Sequence, residues 1–421
     1  MHMNSQKNKL IFFEGDMIGG RGHHLDNLIE ASIFFSNKFN IIWFVSSEFN
    51  ANNLFIPKNI KIKNIIKTNN LNKFKNKTFY LLFEILIYLN NFIFFISLGI
   101  NKKKIILFTK FLIKNSFAIP QYFKSFYSEF IKQKINENDH LIIQSCREKD
   151  ISLVYFLLNI ETAIPKIHIR LLYPPKKKIK GFFFYLKNIK KFIDKNSVII
   201  YTETEYLKEL IEQKVSELSN KIFVFNQIYS FYNRNKKDNL TIGFVGEARP
   251  NKGFNLLPDF IGSVNKLNKN VNFIIQFSKI YPETEVCRNL LIQMKDKLSN
   301  LTIIEKYCDF FEYREILQKI DIMPILYPLS QTNTVGSGVF YSCLTNEISM
   351  IIPKGSTYLK KILKFSSYEE AEGINEYVEK TILMIKNYDF YLNESKKQSL
   401  SYKSKIKFDP LVKNIIKNDF N

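Results

Sequence analysis

Short apolar runs alternate with helix-like segments along most of this 421-residue chain, and this alternation constrains the fold more than any other feature. The runs are rich in Ile, Val and Phe with little polar alternation, which is typical of parallel strands covered on both faces. Strands and helices in this order predict βαβ units and therefore an α/β, doubly wound fold. The predicted strands are 10–13, 41–45, 141–144, 166–170, 198–201, 222–225, 241–245, 273–277, 302–305, 322–326 and 350–352. The clearest predicted helices are 25–35, 205–218, 256–267 and 285–298.

The polar segment 233–239, with the sequence NRNKKDN, contains no apolar residue and divides this pattern into two series. We therefore predict two Rossmann-like domains, residues 1–235 and 236–400, each long enough to bury a core of its own. Residues 401–421 are rich in Lys and Ser around one apolar patch. We expect this last segment to be a C-terminal tail or a helix that crosses back to the first domain.

The chain is strongly basic, with 61 Lys and Arg against 39 Asp and Glu and a formal net charge of +22. Such a charge indicates an anionic partner, which is a nucleic acid, a phosphorylated ligand or a membrane surface. The hydrophobic fraction of 46% excludes an intrinsically disordered chain. The four cysteines are scattered without a CxxC motif, so we expect neither a zinc site nor a disulfide framework, and a cytoplasmic location. The first residues lack the apolar core of a signal peptide.

Two segments combine aromatic and basic residues, at 79–115 and 174–192. Within the first, residues 79–100 have the length of a bilayer-spanning helix, but Glu84, Asn90 and Asn91 interrupt them. A carboxylate near the middle of such a helix costs about 2.5–3.5 kcal/mol, so we favour a membrane-surface or partly buried helix pair over a transmembrane helix. For 174–192 alone, a solvated basic face over a buried aromatic face explains the pattern equally well.

The segment 241–258, TIGFVGEARPNKGFNLLP, carries the most chemical information. A predicted strand leads into a loop that presents Arg249 and Lys252, and Gly253 precedes an amphipathic helix. Ligands of α/β folds bind at the carboxyl ends of strands, and a helix N-terminus beside Arg and Lys suits a diphosphate. The alternative is a surface turn with two solvated cations.

Two further segments have unusual turns. Residues 15–32, GDMIGGRGHHLDNLIEAS, follow the first strand, and their glycines allow a backbone to approach a ligand closely. Their spacing does not match the GxGxxG fingerprint of dinucleotide-binding folds. In residues 322–353, a tight turn at 335–340 starts a helix.

The remaining polar candidates are fewer. His168 lies in the strand KIHIRLLYP, and both a site role and a structural role stay open for it. Glu203 and Glu205 lie in the turn between a predicted strand and the next helix. We favour a capping role for this turn, with Thr202 or Thr204 as the N-cap and Glu205 in the first turn of the helix. The sequence contains no GxSxG elbow, P-loop, HExxH or paired-carboxylate metal motif, so no metal is expected.

Taken together, these segments resemble the retaining GT-B glycosyltransferases of the group 1, or family 4, type, which use nucleotide sugars. In that family a strand ending in Gly leads to an Arg and then a Lys-Gly before a helix. The matching positions here are Gly246, Arg249, Lys252, Gly253 and 256–257.

The resemblance implies two Rossmann-like, doubly wound domains that face a cleft. It implies that Arg249 and Lys252 bind the donor diphosphate and stabilise the departing nucleotide, and that the helix start at Ser337, Gly338 and Val339 belongs to the same donor site. It also implies a catalytic contact of His168 with the sugar. The predicted acceptor side of the cleft consists of Gly19, Gly20, Arg21, Gly22, His23 and His24.

The sequence departs from the family at its Glu-x7-Glu motif, whose second Glu binds the ribose. Thr334 and Ser342 stand at the two positions, and Glu347 stands where the family has a Gly. A hydroxyl contact with the ribose, an atypical donor and a loss of activity are all compatible with this change. We include Thr334 and Ser342 in the predicted donor site.

We therefore predict a metal-independent glycosyltransferase without a cofactor. It would move a sugar from a nucleotide-sugar donor to a glycan or lipid-linked acceptor in bacterial surface polysaccharide or glycoconjugate synthesis, at the inner face of the cell membrane. One alternative is a catalytically degenerate protein of this fold that binds a sugar nucleotide or a glycan. The other is a basic membrane- or nucleic-acid-binding protein, with nucleic acid disfavoured because few of the cations are Arg.

Overall fold

The computed structural model describes residues 7–15, 17, 23–51, 56–65, 93, 118–174, 180–234, 239–334 and 336–416. The predicted membrane-surface segment 79–115 lies outside these ranges except for residue 93, and so do residues 175–179 of the second basic-aromatic segment. Within the described ranges, none of the helices combines the length and the apolar character that crossing a bilayer requires.

The first domain is built on a sheet of seven strands in the order β3-β2-β1-β4-β5-β6-β7, in which every neighbouring pair is parallel. The order reverses between β1 and β4, which is the kind of switch point where such sheets bind ligands. Its strands are β1 (Lys9–Glu14), β2 (Asn40–Ser46), β3 (Lys61–Ile65), β4 (His140–Ile143), β5 (Lys166–Leu171), β6 (Val198–Thr202) and β7 (Ile222–Val224). Its helices are α1 (His23–Phe35), α2 (Ala118–Lys132), α3 (Glu148–Ile160), α4 (Lys180–Asn188), α5 (Lys190–Asp194) and α6 (Glu205–Lys214).

The second domain has a parallel sheet of six strands in the order β10-β9-β8-β11-β12-β13. Its strands are β8 (Thr241–Ala248), β9 (Asn272–Ile280), β10 (Leu301–Glu305), β11 (Ile322–Pro324), β12 (Ser349–Pro353) and β13 (Tyr368–Ala371). Its helices are α7 (Leu257–Leu267), α8 (Glu285–Lys297), α9 (Phe310–Lys319), α10 (Leu329–Thr334), α11 (Gly338–Thr345), α12 (Thr357–Ile362) and α13 (Gly373–Lys386).

The last two described helices, α14 (Tyr388–Ile406) and α15 (Pro410–Ile416), return to the first domain. The Tyr402 hydroxyl donates to the Gln227 carbonyl at 2.7 Å, and the Asp409 carboxylate accepts from the Asn226 backbone at 2.7 Å. Leu411 of α15 belongs to the same buried cluster as Phe12 of β1 and Met350 of β12, so apolar packing is continuous across the two domains.

The polypeptide that leads from the first sheet into the second is anchored by a buried ion pair. Arg234 Nη1 lies 2.9 Å from Asp321 Oδ1, and Nη2 donates to the Leu317 carbonyl at 2.7 Å. The backbone N–H of Arg234 donates to the carboxylate of Glu347 at 2.8 Å. Glu347 has a φ of 57°, in the left-handed region that favours glycine, which is the residue that the resembling family has there.

Candidate active site

A cavity of about 730 Å³ lies between the two domains, at the carboxyl ends of both sheets. The first domain contributes Asp26 and Asn27 of α1 and Glu203, which directly follows β6. The second domain contributes Arg249 and Lys252 from the loop after β8, among other residues. Both parallel sheets therefore present the edges at which α/β folds bind ligands to one shared space.

Arg249 and Lys252 are held at this cavity by neighbouring aromatic rings. Arg249 Nε donates to the Tyr281 hydroxyl at 2.9 Å, and its guanidinium also pairs with Glu247. Lys252 Nζ lies 4.1 Å from the centroid of the Tyr327 ring. The Arg249 side chain stays 43% exposed, so it keeps N–H donors available to an anion in the cavity.

Gly253 allows this loop to form. It has a φ of 73°, and a Cβ atom there would overlap the backbone carbonyl and the Cβ of Leu326. Leu326 follows β11, so a glycine brings the loop against the neighbouring strand end. Gly253 therefore shapes the site without lining the cavity, whereas Gly246 (φ 129°) lines it directly.

The helix start predicted around Ser337 borders the same cavity. The Ser337 side chain caps α11 by accepting from the Phe340 backbone N–H at 3.3 Å. Gly338 and Val339, at the first two positions of α11, line the cavity. The partial positive charge of the helix N-terminus therefore lies on the same side as the two cations.

The structure does not bring Thr334 and Ser342 to the cavity. Thr334 ends α10, and its hydroxyl donates to the Ser330 carbonyl at 2.7 Å. Ser342 is buried in α11. Neither residue is among those that line the cavity.

His168 is also placed away from the cavity, contrary to the sequence-based expectation of a sugar contact. It is fully buried in β5, with Nε2 3.0 Å from His140 Nδ1 and Nδ1 3.0 Å from the Tyr201 hydroxyl. Burial holds the pKa of His168 well below its ordinary value and lowers the pKa of His140 to about 4. Both imidazoles are therefore neutral at pH 7, and His168 ties neighbouring strands of the sheet together.

Glu203 lines the cavity, whereas the sequence favoured only a structural role for it, in the turn before a helix capped by Thr202 or Thr204. Thr204 is the N-cap of α6, since its hydroxyl accepts from the Leu207 backbone at 3.2 Å. The buried Glu203 carboxylate instead accepts from Gln227 Nε2 at 2.9 Å, and burial raises its pKa. Its position immediately after an apolar strand was the signal in the sequence that it lies at the carboxyl edge of the sheet, where α/β folds bind ligands.

Asp26 is a second carboxyl group that the sequence reading missed. It lies in the first turn of α1 and lines the cavity. Burial and the charge of Glu30 raise its pKa to about 7, while the cation of Arg314 opposes the shift. Its position just after the glycine-rich segment was the available signal.

Part of the predicted acceptor side lies outside the residues that the structure describes. Gly19, Gly20, Arg21 and Gly22 lie outside the described residues, and the side chains of His23 and His24, which begin α1, do so as well. Among the residues that the structure does describe, no group of three or more His, Cys, Asp or Glu is arranged to hold a metal ion.

No family model and no curated protein sequence matches this chain. Solved structures do match it over nearly the full length of both chains. A glycosyltransferase from Rickettsia africae is 10% identical, with a TM-score of 0.58 over 98% of this chain and 100% of that one. HepE from Anabaena, in complex with UDP and glucose, is 9% identical, with a TM-score of 0.57 over 94% and 95%. An α,α-trehalose 6-phosphate synthase from Burkholderia multivorans is 8% identical, with a TM-score of 0.54 over 98% and 95%.

The chain has the GT-B fold. The predicted fold class, α/β with two Rossmann-like domains facing a cleft, is confirmed. Within this GT-B cleft the second domain presents Arg249, Lys252 and the start of α11, and the first domain presents Asp26 and Glu203. Cations and carboxyl groups thus face one another across the cavity.

Proposed function

We propose that this protein is a glycosyltransferase that binds a nucleotide-sugar donor in the cleft, with the donor diphosphate on the second domain. The observation that supports this most is the convergence of Arg249, Lys252 and the N-terminus of α11 on one side of the cavity. These are the groups that bind phosphate oxygens through charge-assisted hydrogen bonds. A cavity of about 730 Å³ is large enough for a ligand of that size.

In this proposal the two cations also act in the reaction. Negative charge develops on the nucleoside diphosphate as the bond between the sugar and the phosphate breaks. Arg249 and Lys252 stabilise that charge from fixed positions, since Tyr281 and Tyr327 restrain them. The transfer is proposed to be metal-independent for this reason, and a preparation that EDTA inactivates and a divalent cation restores would contradict that part.

The acceptor is proposed to enter from the first-domain side beside α1, and residues 19–24 are proposed to contact it. A glycan or a lipid-linked acceptor of surface polysaccharide synthesis fits a protein that works at the inner face of a membrane. The described part of the second basic-aromatic segment, which is proposed to contact the membrane, has both buried and exposed side chains. Phe182 and Tyr185 are buried in the first-domain core, whereas Phe184 is 49% exposed and Lys187 is exposed beside it.

The first experiment is a thermal-shift screen with nucleoside diphosphates and their hexose conjugates, because a ligand that binds only the folded state raises the melting temperature. UDP and UDP-glucose come first, since the similar HepE is in complex with UDP and glucose. We expect one diphosphate to stabilise the protein by several degrees, and the matching monophosphate and nucleoside to do so much less. Equal stabilisation by the nucleoside and the diphosphate would contradict a diphosphate site.

A catalytically degenerate binding protein is the second candidate, favoured by the placement of Thr334 and Ser342 away from the cavity. Such a protein would bind a nucleotide sugar without releasing the nucleotide. Release of nucleoside diphosphate from the donor, measured with and without candidate glycan acceptors, separates the two. Turnover that is lost in an Arg249→Ala variant supports the enzyme.

A further inference from the structure

The carboxylate of Glu203 combines two properties that rarely occur together. It is buried, with 6% of the residue exposed, and yet it lines the cavity of about 730 Å³ between the two domains. A buried carboxylate without hydrogen-bond partners costs several kcal/mol, so such a group is kept where its oxygens are used.

Buried polar residues fix Glu203 in place. Oε1 accepts from Gln227 Nε2 at 2.9 Å, and Gln227 Oε1 in turn accepts from Arg170 Nη2 at 2.9 Å. The Arg170 guanidinium packs 4.3 Å from the centroid of the Phe225 ring. Within the described part of the chain, Oε2 of Glu203 has no hydrogen-bond partner. One oxygen is therefore held by the protein, and the other is available to a ligand.

Glu203 belongs to the first domain but contacts the second. A Cβ atom on Gly336 would overlap the Glu203 carboxylate, so the glycine backbone packs directly against it. Gly336 lies at the approach to α11, and its neighbour Gly338 lines the cavity too. The positive charge of Lys252 also reaches Glu203 and favours its ionised form. The carboxylate thus lies beside both parts of the proposed diphosphate site.

We propose that Glu203 binds the sugar part of the donor, by accepting hydrogen bonds from its hydroxyl groups through Oε2. This inference rests on the proposed function, because it needs the diphosphate to lie on Arg249 and Lys252. A carboxylate next to the diphosphate site meets the group bonded to that diphosphate, which is the sugar. Charge-assisted hydrogen bonds from hydroxyl groups are the interactions that such an oxygen makes best.

The test compares the affinities of the free nucleoside diphosphate and its sugar conjugate by isothermal titration, using UDP and UDP-glucose or the pair that the screen selects. In Glu203→Gln, we expect the affinity for the diphosphate to stay within about twofold of wild type. The affinity for the conjugate should fall by about 10- to 100-fold, the loss of one or two charge-assisted hydrogen bonds. The matched control is Glu205→Gln, two residues further on, where neither affinity should change.

Gly336→Ala provides a second variant that leaves Glu203 itself intact. Its new methyl group should displace the carboxylate and cause the same selective loss for the conjugate. Retention of the wild-type ratio of affinities in both Glu203→Gln and Gly336→Ala would overturn this proposal alone. If no nucleoside diphosphate in the screen binds the wild-type protein, the proposed function fails, and this inference fails with it.

Discussion

The two faces of the cleft bring charge to the cavity in different ways. On the second domain, Arg249 and Lys252 extend from a glycine-dependent loop and stay partly exposed against aromatic rings. On the first domain, Glu203 is buried and Asp26 is half-buried, and burial raises the pKa of each carboxyl group. Solvated cations can meet a highly charged ligand at little desolvation cost, whereas buried carboxyl groups suit neutral hydroxyl groups. This difference agrees with the proposed division into a diphosphate site on the second domain and a sugar or acceptor site on the first.

The largest expected effect comes from the loop that carries the cations. Gly253→Ala adds a methyl group that overlaps the Leu326 backbone at a residue with a φ of 73°. Strain of about 1–2 kcal/mol from the backbone and 1–3 kcal/mol from overpacking should lower the free energy of unfolding by about 3 kcal/mol. The loop should shift with it, and diphosphate binding should weaken by more than tenfold. Urea denaturation and isothermal titration measure the two effects.

Gly373→Ala is the control for that variant. Gly373 has a similar φ of 71°, but nothing lies within 4 Å of a Cβ atom placed there. It should show only the backbone part of the stability loss and normal diphosphate binding. Equal losses in both variants would show that contact with Leu326 does not shape the loop.

The next effect separates structural from functional polar groups in the first domain. His168→Leu removes the middle residue of the His140–His168–Tyr201 chain and deprives both neighbours of their hydrogen bond to it, which should cost about 1–3 kcal/mol of stability in urea denaturation. His168→Gln, which can still donate and accept, should recover part of that loss. Diphosphate affinity should not change in either variant, and a specific loss of binding would return His168 to the site.

Asp26 makes the free energy of unfolding depend on pH. Its pKa is about 7 when folded, against an ordinary 3.8, so between these values the unfolded chain has lost the proton that the folded protein keeps. The native state of the wild type is therefore destabilised as the pH rises from about 4 to 7. Asp26→Asn removes this effect, although the charges of Glu30, Asp309 and Arg314 remain nearby.

We expect Asp26→Asn to equal the wild type in stability at pH 4 and to exceed it at pH 8 by on the order of 1–2 kcal/mol. Denaturant unfolding at a series of pH values measures the difference. Asp259→Asn, at an exposed carboxylate in the first turn of α7, is the matched control. If the difference in free energy of unfolding between the variant and the wild type does not increase with pH, the Asp26 carboxyl group is more solvated than its position in the structure implies.

The smallest expected effect tests how firmly the cations are held. Tyr281→Phe removes the hydroxyl that accepts from Arg249 Nε but keeps the aromatic ring under the guanidinium. We expect diphosphate affinity to fall about two- to fivefold, the effect of one weak hydrogen bond. Tyr206→Phe, at an exposed Tyr of the first domain, should have no effect in the same titration.

The sequence predicted the buried strands and the glycine-cation loop well because their signals are local. It missed β3, which reads KIKNI, and β13, which reads YEEA, since both are edge strands that keep polar side chains in contact with water. It also ended β11 two residues too late, since the strand ends at Pro324, although the Ile325 backbone N–H still donates to the Ile351 carbonyl of β12 at 2.8 Å. These two edge strands lack the continuous apolar pattern by which the other strands were identified.

The first-domain side of the site was harder to predict for a different reason. The surroundings of Glu203 and Asp26 come largely from residues far away in sequence, namely Gln227 and Gly336 for Glu203 and Arg314 for Asp26. His168 looked like a site residue because it lies in a strand near the cleft, and only tertiary packing shows that its partners are His140 and Tyr201.

The most direct test of the account is an isothermal titration of the Arg249→Ala/Lys252→Ala double variant with the nucleoside diphosphate that stabilises the wild type most. Arg288→Ala is the control, because Arg288 is an Arg of the same domain that pairs with Glu305 and does not line the cavity. The account predicts a loss of affinity of at least 100-fold in the double variant, with an unchanged melting temperature and normal binding by the control. Near-normal diphosphate affinity in a folded double variant would contradict it.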